Sequence, residues 1–429
     1  MECDIAVVGG GVLGVTTAYW LSGLYDCSIV IVDKDSGPAL HTTLRNTGVA
    51  HRPYYLDPQR KRMFAISAGR SYRMWMKLAS EFGLPWKEVG TLMVATEEEQ
   101  VRTLERYAGW AADNGMGEEE YELLDAGGVR KIEPEVSCRG AFFSKTDAST
   151  DFAALTTAVW RLAEANGVRF LPWAEVDGVE GGRRGPTLRF SDGRRLDCSL
   201  MINAAGGGSL DLAHSMGLAR QYANLHFRGE YWVVDEARAP RVNRNIYSVA
   251  RHAEFNFLDP HFIIRADGRR EVGPNAVLVA GPDTYRGIGG LRELLGMVVE
   301  RPIVPKLRLF SDRAFLSMVS DEWRSSLSKA AMCSRVRALI PTMDKVMLIR
   351  RGLAGVRSSL VGDEGFVPEA LIVEGEAFMH VLNFNSPGAT GAPVFSAQLV
   401  RRLEARGCLN GFGAKAHAGR FWDFEDSGL

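Results

Sequence analysis

The feature that most constrains this chain lies at its start. An apolar run, Cys3 to Val8, is broken by Gly9-Gly10-Gly11-Val12-Leu13-Gly14; Val15 to Leu24 then has the pattern of a helix and Ser28 to Asp33 that of a second apolar strand. Strand, G-x-G-x-x-G and helix in that order aim backbone N–H groups and the positive end of a helix dipole at a pyrophosphate. Gly9, Gly11 and Gly14 occupy the three glycine positions. Asp33 closes the second strand about 20 residues on, where an acid can accept hydrogen bonds from ribose hydroxyls. A plain tight turn would explain the glycines but not the acid at that spacing. The chain is expected to open with a Rossmann-type βαβ unit that holds a dinucleotide through Gly9, Gly11, Val12, Leu13, Gly14, Asp33 and Lys34.

Helical patterns follow at 59–82, 97–114 and 151–166, the last with Asp151 at its start and Gly167 at its stop. From Val168 the pattern changes to short strands, VRFLPWAEV and TLRF, then a turn at Ser191-Asp192-Gly193-Arg194, then a buried strand through Met201-Ile202-Asn203-Ala204-Ala205-Gly206. An NAD domain would continue βαβ; a meander returning to a strand that ends in small residues argues for FAD. Ala205 and Gly206 permit close approach to such a cofactor. Val176 is a candidate cover for the adenine, with an ordinary strand core residue as the competing reading. Residues 225–280 are strand-rich, 287–335 helical, and 346–386 alternate strands with glycine turns; a final helix is expected at about 391–405. The tail 407–429 has no clear pattern.

The chain has 429 residues, 46% of them apolar, which is enough to bury the core of two intertwined domains. Its 51 basic and 52 acidic residues are spread rather than blocked, so charge gives no sign of a nucleic-acid partner. Six cysteines stand far apart, without CxxC pairs, and read as reduced thiols; no metal-ligand spacing is present. No run reaches 18 apolar residues, and the first strand leaves no room for a signal peptide. A cytoplasmic location is the expectation, with peripheral docking on a membrane surface and a homo-oligomer both left open.

Several blocks together resemble a known family: the glycine motif, His41-Thr42-Thr43-Leu44-Arg45-Asn46-Thr47-Gly48, Phe227-Arg228-Gly229-Glu230-Tyr231, Val272-Gly273-Pro274-Asn275-Ala276-Val277-Leu278, Gly355-Val356-Arg357 and Asn385-Ser386-Pro387-Gly388-Ala389. In that order they resemble the D-amino-acid-oxidase-like FAD-dependent oxidoreductases, and within them the L-2-hydroxyglutarate dehydrogenases, over nearly the whole chain. The subfamily likeness rests chiefly on the FRGEY and VGPNAVL blocks. The resemblance implies an α/β fold in which a discontinuous Rossmann-type FAD-binding domain (1–85, 145–220 and 345–429) is interleaved with a mixed-sheet substrate domain (86–144 and 221–344). It implies cofactor contacts from Thr42, Arg45, Asn46, Thr47, Gly48, Gly355 and Arg357. It also implies oxidation of a small 2-hydroxy acid, L-2-hydroxyglutarate to 2-oxoglutarate, by hydride transfer to flavin N5, with a quinone or another carrier as electron acceptor. The chain departs from the family pattern in three places. It reads Arg45-Asn46-Thr47-Gly48 where the pattern has His-Asn-Ser-Gly, its His51–Tyr55 segment is one residue shorter, and SSLVGDEGFVPEA after Arg357 differs. These departures keep open another small substrate (malate, glycerol 3-phosphate or an amino acid) and a non-catalytic flavin-binding redox module.

The chemistry names further candidates. Oxidising a hydroxy acid needs a base for the hydroxyl proton, and histidine is the usual one near neutral pH. His261, in Pro260-His261-Phe262, and His51, just after Asn46-Thr47-Gly48, are the two candidates, each with a packing role as its alternative. A substrate carboxylate calls for cations. Arg228, Arg357 and Lys61 match charged positions of the family pattern; an ion pair with Glu230 competes for Arg228, and a solvated helix face for Lys61. Tyr54, Tyr55 and Tyr231 either hydrogen-bond the same carboxylates or pack. Reduced flavin carries negative charge near N1 and C2=O, and Pro387, Gly388, Ala389 and Thr390 lead into the last helix, so their N–H groups can face it. A plain helix start is the alternative there.

Overall fold

A computed structural model, which describes residues 1–251, 255, 259–415 and 420–427, sets strand Glu2–Val8 inside an eight-stranded sheet. That strand pairs in parallel with Ile29–Val32 on one side and Arg195–Asn203 on the other. Arg169–Leu171 extends the sheet beyond Ile29–Val32, and Phe378–Leu382 runs parallel to the carboxyl end of Arg195–Asn203. All four residues of Ile29–Val32 are buried, as expected of parallel strands covered on both faces. The antiparallel meander Val176–Gly181 and Pro186–Phe190 leads back into Arg195–Asn203, as its strand and turn pattern predicts. Helix Val12–Leu24 packs on Phe152–Ala165 and Gly388–Ala405. It starts hard against the first strand because residue 14 is glycine, where a Cβ would overlap the Gly9 carbonyl oxygen.

A second eight-stranded sheet has the order Leu348–Arg351, Trp232–Val234, Arg270–Gly273, His261–Ile264, Asn245–Ser248, Thr91–Ala95, Gly140–Ser144, Tyr121–Asp125. A four-stranded sheet has the order Val277–Val279, Ala223–Gly229, Gly355–Gly362, Gly365–Phe366. Three short chain segments cross between these two sheets, after Gly229, after Gly273 and after Arg351, and the long helical stretch after Val279 makes a fourth crossing. Glu230 ties that corner together. Its N–H donates to Asn275 Oδ1 (2.9 Å), and its Oε2 accepts from Asn275 Nδ2 (3.0 Å) and from the Ser326 hydroxyl (2.6 Å). The FRGEY and VGPNAVL blocks therefore sit where two strands change sheets.

Other differences from the sequence pattern have local causes. Thr91–Ala95 and Gly140–Ser144, both inside the second sheet, fall where the pattern marks no strand, because a five-residue apolar run is too short to show a period. The helical stretch 287–335 is four helices, Leu291–Val299, Ile303–Ser311, Arg313–Leu327 and Lys329–Arg337. Leu348–Arg351 and Gly355–Gly362 pair with strands of 223–279, so the segment from 345 joins the sheet of Glu2–Val8 only with Leu371–Glu374 and Phe378–Leu382. In the patternless tail, Trp422 is buried against Trp20 and Trp75. Among the described residues, no helix is long and apolar enough to cross a membrane.

Three buried histidines make the fold acid-sensitive. Burial pushes His226 and His380 down to about 4 and His261 down to about 3, so all three are neutral in the native state. Unfolding returns them to about 6.5. Their contribution to stability is complete above about pH 6.5 and is lost as pH falls towards 3–4, because the unfolded chain then binds protons that the native state does not. Each contributes up to about 1.4 kcal/mol per pH unit over that window. The melting temperature is expected to fall continuously from pH 6.5 to pH 4; a flat profile over that range would show that the histidines are not buried neutral.

Candidate active site

One cavity of about 620 Å³ is lined by Gly9 to Leu13 of the glycine motif but not by Gly14, by Asp33 and Lys34, and by Thr42, Arg45, Asn46 and Thr47. Val176, Ala205, Gly206, Gly355, Arg357 and the helix start Pro387, Gly388, Ala389 and Thr390 line it too. So do His51, Tyr231, Tyr247 and His261. Residues from the beginning, middle and end of the chain thus meet in one place, because the parallel strands Glu2–Val8, Ile29–Val32, Arg195–Asn203 and Phe378–Leu382 present their carboxyl ends together.

The cradle fits an anionic dinucleotide. A Cβ at Gly11 would meet nothing nearer than Thr43 Oγ1 at 3.5 Å, so a larger side chain there would grow into the cavity. Gly206, at φ +57°, has nothing within 4 Å of its Cβ position. Neither helix Val12–Leu24 nor helix Gly388–Ala405 is capped by the side chain of its own N-cap residue, Gly11 or Pro387, and both starts line the cavity, so two positive helix ends face it. Asp33 is held at the strand end by the N–H groups of Gly10 (2.6 Å) and Asp35 (2.9 Å). The two glycines predict opposite outcomes. Gly11→Val is expected to fold with a near-normal melting temperature and to purify colourless, whereas Gly14→Val is expected to be strongly destabilised by the backbone overlap. Absorbance at flavin wavelengths and a melting curve on both variants check this; a yellow Gly11→Val protein would refute the assignment.

The loop 41–48 is built from its own polar atoms. Asn46 Oδ1 accepts the Gly48 N–H (2.8 Å) and its Nδ2 donates to the Thr43 carbonyl (2.7 Å), while Thr43 Oγ1 accepts the Val12 N–H (3.0 Å). Thr42 Oγ1 donates to the Val356 carbonyl (3.3 Å), and the Arg45 guanidinium lies 4.1 Å over the Tyr285 ring. Gly48, expected at the cofactor, does not line the cavity. It turns the chain at φ +68° so that its carbonyl accepts the Thr150 N–H (2.7 Å).

That bond starts the pairing that builds the histidine site. Strand Val49–Ala50 runs antiparallel to Ala148–Thr150, with Val49 opposite Ser149 and Ala50 opposite Ala148. The next step of the register sets His51 opposite Asp147, and opposed residues in an antiparallel pair share a face. His51 Nδ1 lies 2.8 Å from Asp147 Oδ2, and Asp147 is fully buried. A carboxylate only accepts, so Nδ1 carries the hydrogen and Nε2 keeps its lone pair. The Tyr247 hydroxyl is 3.4 Å from that Nε2, and the Tyr247 ring stacks on His261 at 3.8 Å. His261 Nδ1 donates to the Asp259 carbonyl (3.0 Å), and its buried Nε2 has no hydrogen-bond partner among the described residues. Burial is the main cause of its low pKa, with the neighbouring His51 and Arg265 lowering it further.

The candidate carboxylate ligands separate into four groups. Arg357 and Tyr231 line the cavity. Burial lowers the Arg357 pKa, opposed by the Tyr231 and Tyr55 hydroxyls. Tyr55 and Lys61 do not line the cavity but are close enough to sense the Arg357 charge: burial raises the Tyr55 pKa, and burial followed by the Arg357 charge lowers that of Lys61. Tyr54 is core, its ring stacked on Phe142 at 4.5 Å. Arg228 is a correction. Its Nη2 pairs with Glu230 Oε1 (3.0 Å), and its Nη1 donates to the carbonyls of Thr284 (3.3 Å) and Gly287. It is outside the cavity lining and braces the sheet corner instead. Asp147 and Tyr247 were not among the sequence candidates, since neither belongs to a motif and each reaches the site only through strand pairing.

Comparison with known proteins agrees with this geometry. The family model described as "FAD dependent oxidoreductase" matches residues 4–403. L-2-hydroxyglutarate dehydrogenase of Escherichia coli strain K12 is 27% identical over 408 residues, covering 94% of this chain and 93% of its own. The mitochondrial L-2-hydroxyglutarate dehydrogenase of Homo sapiens is 24% identical, covering 94% and 89%. Among solved structures, an L-α-glycerophosphate oxidase from Mycoplasma pneumoniae with FAD bound superposes with a TM-score of 0.73 at 20% identity, covering 98% of this chain and 97% of that one. Glycine oxidase from Geobacillus kaustophilus gives 0.69 at 16% identity, covering 97% and 100%. A dinucleotide cradle joined to a buried histidine pair, in a chain matched along nearly its whole length, identifies this protein as a member of the DAO family of FAD-dependent oxidoreductases.

Proposed function

We propose that this enzyme oxidises a small 2-hydroxy acid, L-2-hydroxyglutarate, to the 2-oxo acid, with His51 as the base. The observation that carries the reading is the His51–Asp147 pair on a cavity that also holds Arg357. Bound FAD supplies the hydride-accepting ring. His51 Nε2, backed by a carboxylate, takes the hydroxyl proton. Arg357 holds the carboxylate next to the reacting carbon, with Tyr231 beside it; Lys61 and Tyr55 support that positive end from outside the cavity lining. His261, neutral down to about pH 3, is an acceptor for a substrate or water hydrogen rather than a proton carrier. The relatives named L-2-hydroxyglutarate dehydrogenase support the choice of acid.

The electron acceptor on this reading is a quinone or similar carrier, met by a cytoplasmic protein at a membrane surface. We further divide the chain into a cofactor part (1–85, 145–220 and about 367–429) and a substrate part (86–144 and 221–366), the last boundary following the strand pairing described above. Anaerobic mixing with L-2-hydroxyglutarate, its D enantiomer, L-malate, glycerol 3-phosphate and L-glutamate tests the substrate. Rapid bleaching of the flavin by L-2-hydroxyglutarate alone is the expected result. Equal or faster bleaching by any other compound on that panel overturns the assignment.

A further inference from the structure

We propose that Asp147 is a positioning residue that fixes His51 in the tautomer whose Nε2 lone pair serves the reaction. The proposal rests on the reading of His51 as the base and extends it to a residue outside the cavity lining. Asp147 lies in the turn between Gly140–Ser144 and Ala148–Thr150, and its two oxygens divide their work. Oδ1 accepts the Arg52 N–H (2.9 Å) and the Ser144 hydroxyl (2.7 Å), which pins the carboxylate to the backbone. Oδ2 is bonded to His51 Nδ1 (2.8 Å).

A turn-stabilising aspartate would be complete with the first two bonds. A fully buried carboxylate oxygen facing an imidazole does more. It forces the ring's hydrogen onto Nδ1, fixes the ring plane and stabilises the imidazolium that forms when Nε2 accepts a proton. The other groups around the ring favour no competing tautomer. Tyr55 and Tyr247 meet it edge-on at centroid distances of 5.8 and 5.4 Å, His261 is neutral, and Arg52 is engaged by Glu120 at 2.7 Å. Because the strand register sets the pair, the base is aligned by the fold itself before substrate arrives.

The test uses Asp147→Asn, which keeps size and hydrogen-bonding reach but lets the amide NH₂ face Nδ1 and so favours hydrogen on Nε2. On the flavin-loaded protein, the plateau rate of flavin reduction by L-2-hydroxyglutarate is expected to fall about 10²-fold or more. The apparent pKa of the rate profile should move down by about one unit as the opposite charge is removed. Flavin content and melting temperature show whether the variant has folded. Independently of turnover, ¹⁵N spectra of histidine-labelled protein, with His51 assigned by its absence in His51→Ala, should show wild-type His51 protonated on Nδ1 and the Asp147→Asn ring shifted towards Nε2. A wild-type spectrum with the proton on Nε2 overturns the proposal, and remains decisive if Asp147→Asn does not fold. A folded Asp147→Asn with wild-type apparent pKa and tautomer also overturns it, whatever its rate. If His51→Ala reduces flavin at the wild-type rate, the base reading fails instead, and the proposal falls with it.

Discussion

His51→Ala is expected to slow anaerobic flavin reduction by L-2-hydroxyglutarate by about 10²–10⁴-fold, the range that a positioned general base supplies, while His261→Ala costs roughly tenfold or less. The two histidines line the same cavity and differ in what lies behind them. A buried carboxylate bonded to Nδ1 of His51 leaves Nε2, on the other side of the ring, as the proton acceptor. Among the described residues His261 Nδ1 is bonded to a backbone carbonyl rather than a carboxylate, and burial holds the His261 pKa near 3. A base with that pKa is a weak proton acceptor at pH 7, and its loss removes mainly the ring stacked on Tyr247 at 3.8 Å. Stopped-flow reduction of both variants, each carrying a full complement of flavin, ranks them. A larger loss at His261 would reverse the assignment. No loss at either would mean that the hydroxyl proton leaves by another route.

The nucleotide half of the site was legible because its signal is local. Gly9, Gly11, Gly14 and Asp33 are spaced by one βαβ unit; Gly9, Gly11 and Asp33 line the cavity, while Gly14 lets the helix pack against the Gly9 carbonyl. The helix starting at Gly388 was legible for the same reason, although it begins three residues before the expected 391. The histidine end is different. Asp147 lies 96 residues from His51 and meets it through one step of antiparallel register, in a sheet whose strands are two and three residues long. Strands that short carry no period to read. Tyr247 reaches the site from a strand that pairs with Thr91–Ala95, a distant part of the chain, on one side and with the next strand, His261–Ile264, on the other. Arg228 shows the converse. A charge inside an apolar strand signals that a buried partner exists, but not whether that partner is a substrate or, as here, Glu230 two residues on.

That distinction sets the largest expected effect on binding. Arg357→Met is expected to lower kcat/KM for L-2-hydroxyglutarate by about 30- to 4,000-fold, the equivalent of roughly 2–5 kcal/mol for truncating one partner of a buried charge pair. The loss should be much smaller on the corresponding ester or amide, because the guanidinium's partner would be the carboxylate itself. Arg357 is the candidate because it lines the cavity next to Tyr231, and its own strand, Gly355–Gly362, is anchored along its length to Ala223–Gly229. The side chain therefore projects from a fixed edge rather than from a loop. Arg228→Met provides the contrast from the paired strand. It removes the bonds to Glu230, Thr284 and Gly287, so it should lower stability by about 3 kcal/mol and affect acid and ester alike. Melting temperatures, flavin content and kcat/KM on both substrates separate the two arginines. Selective loss on the acid at Arg357, with unchanged melting temperature, places the substrate carboxylate at this guanidinium. Equal loss on acid and ester at Arg357 would make it a structural residue like Arg228, and the case for an acidic substrate would lose its main physical support.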